Sequence, residues 1–132
     1  MFDRIVIGAA QTEAAQLAIS QAITLATTFD AELHLVLAYD AFPDRAHPES
    51  TPATRDAEEF LASIARDFDG TVVRHAVPGD PADAILKVAK DFEADLIVVG
   101  NKGMKGAGRV IGSVTNTVSH KAPCSVLIVS TT

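Results

Sequence analysis

Cysteine is nearly missing from this chain. The one thiol among 132 residues, Cys124, has no partner for an intramolecular disulfide, and its setting inside APCSVLIV points to a buried thiol rather than a reactive one. Basic residues are in deficit, 11 Lys and Arg against 17 Asp and Glu, so the formal net charge of −6 argues against general affinity for nucleic acid or an anionic membrane. No uninterrupted apolar segment approaches a membrane span, and the opening MFDRIVIGAA lacks a basic stretch followed by an apolar core and cleavage site. A cytoplasmic location is therefore expected. Internal repeats and low-complexity linkers are missing too, which at this length leads us to expect one domain over residues 1–132. The four histidines, His34, His47, His75 and His120, are scattered, and no His/Cys/Asp cluster has metal-ligand spacing.

What is present is an alternation of short apolar runs with segments of helical period. Strands are expected at Arg4 to Ala10, Leu33 to Tyr39, Thr71 to Val77, Ala94 to Gly100 and Cys124 to Ser130. Three runs, IVI, LIVV and VLIV, are apolar at consecutive positions, which suits strands of a parallel sheet covered on both faces. Between the strands, Leu17, Ala18, Ala22 and Leu25 mark one helical stripe, and Ala57, Phe60, Leu61, Ile64, Ala65 and Phe68 another. A third helix starts where Asp80 can cap, Pro81 fits the first turn and Asp83 faces the positive end of the dipole, with Ile85, Val88, Ala89 and Phe92 on one face. A fourth runs from about Ser113 to Lys121, where His120 suits the negative helix end. Repeated strand, helix, strand units predict an α/β sandwich with right-handed crossovers. Residues 40 to 52, DAFPDRAHPESTP, read as a connecting surface loop.

In an open parallel sheet, ligands bind beyond the carboxyl ends of the strands where the strand order reverses. After the fourth strand the chain reads GNKGMKGAGRVIGS, five glycines in the thirteen positions from Gly100 to Gly112. Backbone N–H groups in such a loop, with the helix start at Ser113, can donate to phosphate oxygens, and Lys102, Lys105 and Arg109 add local positive charge. The P-loop pattern fails, because Gly103 and Gly108 are followed by Arg109 and Val110 instead of Lys and Ser or Thr. The dinucleotide fingerprint fails as well, since the turn after the first strand has no glycine beyond Gly8. On these residues alone, phosphate binding and a merely tight connection carry equal weight.

The whole chain resembles a single-domain universal stress protein, from RIVIGAAQTEAAQLAISQA to ADLIVVGNKGMKGAGRVIGSVTNTVSHKAPCSVLIV. Nucleotide-binding members of that family carry a strand-terminal glycine, two residues, a second glycine, usually nine residues, then Gly-Ser or Gly-Thr. Gly100 and Gly103 match the first pair and Gly112-Ser113 the last, with eight residues between Gly103 and Gly112. The family's aspartate after the first strand falls on Ala10, within Ala9-Ala10-Gln11-Thr12.

The resemblance implies a three-layer α/β/α sandwich of the adenine nucleotide alpha hydrolase-like fold, with a five-stranded parallel sheet in the order 3-2-1-4-5. It implies ATP or AMP as ligand, with Mg²⁺ accompanying ATP, and the shortened loop brings in cyclic AMP, whose compact single phosphate needs less of it than a triphosphate. Ala38 would meet the adenine edge, and Ala9, Ala10 and Val99 would wall base and ribose. Gly100, Gly103, Gly112, Ser113 and Val114 would surround the phosphates, with Lys102 and Arg109 as weaker contributors. A homodimer through the last strand, Cys124 to Ser130, is also implied, and it would close an apolar edge. No residue stands out as a catalyst, so the activity expected is at most slow ATP hydrolysis. Two further readings stay open: a nucleotide-free member acting through dimerisation and partner docking, and, last, a small hydrolase.

Overall fold

The computed structural model describes residues 2–41, 46–47, 51–101 and 112–130. The elements alternate as expected: β1 (Arg4–Gly8), α1 (Glu13–Phe29), β2 (Glu32–Tyr39), α2 (Pro52–Ala65), β3 (Val72–Pro78), α3 (Pro81–Asp91), β4 (Leu96–Gly100), α4 (Ser113–Lys121) and β5 (Ser125–Val129). The sheet is parallel throughout, in the order β3-β2-β1-β4-β5. Among the described residues, no helix is long and apolar enough to cross a membrane.

The consecutive apolar runs follow from a sheet covered twice. Ile5, Ile7, Leu33, Leu35, Leu96 and Val98 face one core with Ala18, Ile19, Ala22 and Ala26 of α1 and Leu61 and Ile64 of α2. The residues between them, Val6, Val36, Ile97 and Val99, face a second core with Ile85, Val88 and Ala89 of α3 and Val118 of α4. Each fully buried branched side chain contributes about 1.5–3 kcal/mol. β5 departs from this rule. Its VLIV run reads like that of β4, yet Leu127 and Ile128 are 36% and 38% exposed, because β5 is an edge strand with a neighbour on one side only.

The helix starts are capped by their own sequence. Thr12, Thr51 and Asp80 each accept a backbone N–H from three residues on, and Pro52 and Pro81 open the helices that follow the last two. Thr51 and Pro52, read as the end of the connecting loop, therefore begin α2. Asp80→Ala removes the bond that Asp83 N–H donates to Oδ2 at 3.0 Å and is expected to cost about 1 kcal/mol in urea unfolding, with Asp80→Asn largely neutral. Just before this cap, Gly79 has φ +121°, a conformation side chains rarely adopt. The apolar face of α1 is rotated from its expected stripe: Ala18, Ile19, Ala22 and Ala26 are buried, whereas Leu17 is 49% exposed.

Strand ends shift by one or two residues. β4 starts at Leu96 because Ala94 still donates to Ala89 O, closing α3, while Asp95 turns its N–H to Arg4 O and its carboxylate to Asp3 and Arg4 N–H. Cys124 is half-buried rather than buried. Its removal from water, and next the Asp95 carboxylate, push the thiol above its ordinary value, so it stays protonated and unreactive at neutral pH. His120 Nδ1 lies 2.8 Å from Asn116 O in the last turn of α4, as its position at a helix C-terminus suggested.

Candidate functional site

β1 leads outward through β2 to β3, and the chain then returns to place β4 on the other side of β1. The strand order reverses between β1 and β4, and the helices that leave them diverge to leave a crevice. A cleft of about 320 Å³ lies there, at the carboxyl ends of β1, β2 and β4. Its floor is Gly8, Ala9 and Ala10 after β1, Val36 to Ala38 on β2, and Val99 and Gly100 on β4; Pro81 and Ile85 of α3 and Val114 and Thr115 of α4 wall it. The volume sits near the lower end for small-molecule sites.

The local sequence explains the shape. A Cβ on Gly8 would lie 2.6 Å from Ile85 Cδ1, so glycine lets α3 approach the end of β1. Ala9 N–H donates to Val36 O at 2.7 Å, carrying the β1–β2 ladder to the rim. Thr12 and Thr115 are the hydroxyl residues of the lining, and both are engaged: Thr12 Oγ1 accepts from Ala15 N–H, and Thr115 Oγ1 donates to Gly100 O, tying α4 to the end of β4. Among the described residues, none of the lining carries an ionisable carboxyl, imidazole or amine. These described walls offer shape, apolar contact and backbone hydrogen bonds, the chemistry of binding.

Of the eleven residues singled out in the sequence, the cleft brings together Ala9, Ala10, Ala38, Val99, Gly100 and Val114. Gly112 and Ser113 sit at its edge, at the start of α4. Gly112 is the N-cap and makes no side-chain capping bond, while its own N–H reaches Asn101 O at 3.4 Å. The first-turn N–H groups of α4 thus lack the side-chain acceptor that caps α1, α2 and α3. Lys102, Gly103 and Arg109 lie outside the described residues. Pro81, Ile85 and Thr115 were not anticipated in the lining: nothing local in the sequence brings α3 to this point, only the reversal of strand order. Among the described residues no cluster suits a metal ion. A larger groove of about 570 Å³, lined in part by Tyr39, Glu58, Arg74 and His75, runs along the outer strand β3 and α2, away from the reversal of strand order.

The family model described as universal stress protein family matches residues 1–130. A universal stress protein of Synechocystis is 42% identical over 78 residues, which cover 56% of this chain and 51% of that protein, so the match spans about half the relative's length. A universal stress protein of Thermus aquaticus is 32% identical over 136 residues, covering 98% of this chain and 99% of its own. A solved universal stress protein in complex with cAMP superposes with a TM-score of 0.77 at 27% identity, over 99% of each chain. In strand order and in nearly full-length similarity alike, with the adenine nucleotide alpha hydrolase-like fold those structures share, this chain belongs to the universal stress protein family.

Proposed function

We propose that this protein is an adenine-nucleotide-binding stress-response module without assigned catalysis, at most a slow ATPase, with its ligand in the cleft between β1 and β4. The observation that carries this reading is the cleft itself: apolar walls of nucleoside size, at the point of strand-order reversal, opening beside a helix start without a side-chain cap. Ala9, Ala10 and Val99 wall the base and ribose, and the backbone at Ala38 meets the adenine edge. Gly100, Gly103, Gly112, Ser113 and Val114 direct N–H groups to the phosphates, with Lys102 and Arg109 as outer cations. ATP, AMP and cyclic AMP are the ligands proposed; the similar structure holding cAMP supports the last. Mg²⁺ would enter with ATP on its phosphate oxygens, because the lining offers no carboxylate among the described residues. Binding the native state alone stabilises it by mass action, which is how occupancy would be read out.

Isothermal titration calorimetry of protein stripped of nucleotide by unfolding and refolding tests this against MgATP, AMP and cyclic AMP. Saturable binding is expected with at least one, weakened roughly tenfold or more by Gly112→Val, which puts a branched side chain where a phosphate needs close backbone approach. No heat at near-millimolar ligand with any of the three overturns the reading.

A second reading, a nucleotide-free member that dimerises and docks partners, is favoured by Ala10 and by the exposed Leu127 and Ile128 on the β5 edge. Pairing of that edge about a two-fold axis would bury both and close the unpaired ladder. Sedimentation at micromolar concentration distinguishes a dimer from a monomer.

A further inference from the structure

Away from the cleft, toward the amino ends of the strands, β2 and β3 bring two histidines together. His34 is completely buried. Its Nδ1 lies 2.9 Å from Nε2 of His75, and its Nε2 lies 2.7 Å from Oε1 of Glu32. Phe92, directly after α3, packs on both rings, with centroids 4.8 and 4.9 Å away. A hydrogen bond between two imidazoles holds one proton, so the protonation states of this chain of groups are few. With Glu32 ionised and both rings neutral, His34 donates from Nε2 to the carboxylate and accepts at Nδ1 from Nε2–H of His75. One further proton fits: the shared proton and the charge distribute between the rings, and the Glu32 carboxylate neutralises the result. A second further proton does not fit, because it sets N–H against N–H across 2.9 Å between a fully buried ring, His34, and the half-buried ring of His75.

We propose that Glu32, His34 and His75 form a one-proton binding site, and that a second proton separates the two rings and loosens β3 from β2 at the edge of the sheet. The surrounding charges leave the rings to decide this. From β1, Arg4 Nε lies 3.6 Å from Glu32 Oε1, an exposed and weak pairing. On β3, Arg74 precedes His75 and so points to the other face of the sheet, where Glu58 of α2 lines the groove, away from the ring face that packs on Phe92. From α3 comes the uncharged Phe92 ring, while the neighbouring Lys90, Asp91 and Glu93 are exposed. Burial first, and then charge on His34, lowers the His75 pKa below its ordinary value near 6.5. The unfolded chain therefore binds more protons than the folded one below that value: the stability is fully present above about pH 6.5 and is lost as the pH falls toward the lowered value.

Long-range proton–nitrogen NMR of the full ¹⁵N-labelled chain, from about pH 8 to about pH 5, reads the site. The expected result is that both rings carry hydrogen at Nε2 at the alkaline end. On acidification the two take up one proton between them while folded, and entry of the second coincides with loss of the folded amide signals of β3. Folded protein in which His34 and His75 both become imidazolium overturns the proposal, as does His34 with hydrogen at Nδ1 at the alkaline end. His75→Gln, which keeps an N–H donor but cannot charge, is expected to show a smaller fall in Tm over this range than the native chain, and an equal fall also overturns the proposal. Should that variant not fold, the NMR result on the native chain decides alone.

Discussion

Ile97→Ala is expected to lower the free energy of unfolding by about 2–5 kcal/mol, measured by urea denaturation. Ile97 has no exposed surface; it lies in β4 between Val6 of β1 and Val126 of β5, in the core under α3. Removing three carbons there forfeits their transfer energy and leaves a cavity that strands fixed on both sides cannot collapse to fill. Against a total stability of about 5–15 kcal/mol this is a large fraction, and at roughly 4 °C per kcal/mol the melting temperature falls by about 8–20 °C. Leu17→Ala removes a similar amount of hydrocarbon from α1, where the side chain is 49% exposed, and is expected to stay within about 0.5–1 kcal/mol. Equal costs for the two would contradict the placement of β4 inside the sheet, paired on both sides, and of Leu17 on the outer face of α1.

That contrast also marks where sequence reading stops. The helix α3 could be bounded from Asp80, Pro81 and Asp83 because the cap, the fixed φ of proline and the dipole are local effects. Parallel strands could be read from IVI and LIVV because double coverage is written into consecutive apolar positions. The buried face of α1 could not be located so well: three of its four buried residues are alanines, whose close packing is invisible to a search for large apolar side chains such as Leu17. VLIV of β5 looks like LIVV of β4, and only sheet order distinguishes the edge from the centre. In the site, Ala9 and Ala10 follow β1, Val99 and Gly100 end β4, and all four were legible; Pro81 and Ile85 arrive from a helix whose position depends on the whole topology. His34 and His75 are 41 residues apart, and their contact depends on the register that places Val36 against His75. No spacing rule encodes that.

The position after β1 gives the cleft its largest expected gain. Ala10 lines the floor between the end of β1 and Thr12, the N-cap of α1, at the place where the family's aspartate falls. If the cleft holds a nucleoside, Ala10→Asp adds a charged acceptor beside base and ribose, and one such hydrogen bond is worth about 1.5–3 kcal/mol, or roughly a ten- to hundredfold increase in affinity. The carboxylate also faces the positive end of the α1 dipole, which helps keep it ionised. Two terms oppose the gain, desolvation of the new charge and repulsion from the ligand's phosphates, and they separate by ligand. Desolvation weighs on every ligand alike, whereas repulsion grows with phosphate charge, so adenosine and AMP should gain more than ATP in parallel calorimetric titrations. Ala10→Asn, with the shape and no charge, should gain less than Ala10→Asp for each. A carboxylate that leaves adenosine binding unchanged, or weakens it, would mean that the nucleoside does not lie against this turn, and the β1 side of the proposed site would have to be given up while the Gly112 side is judged by its own variant.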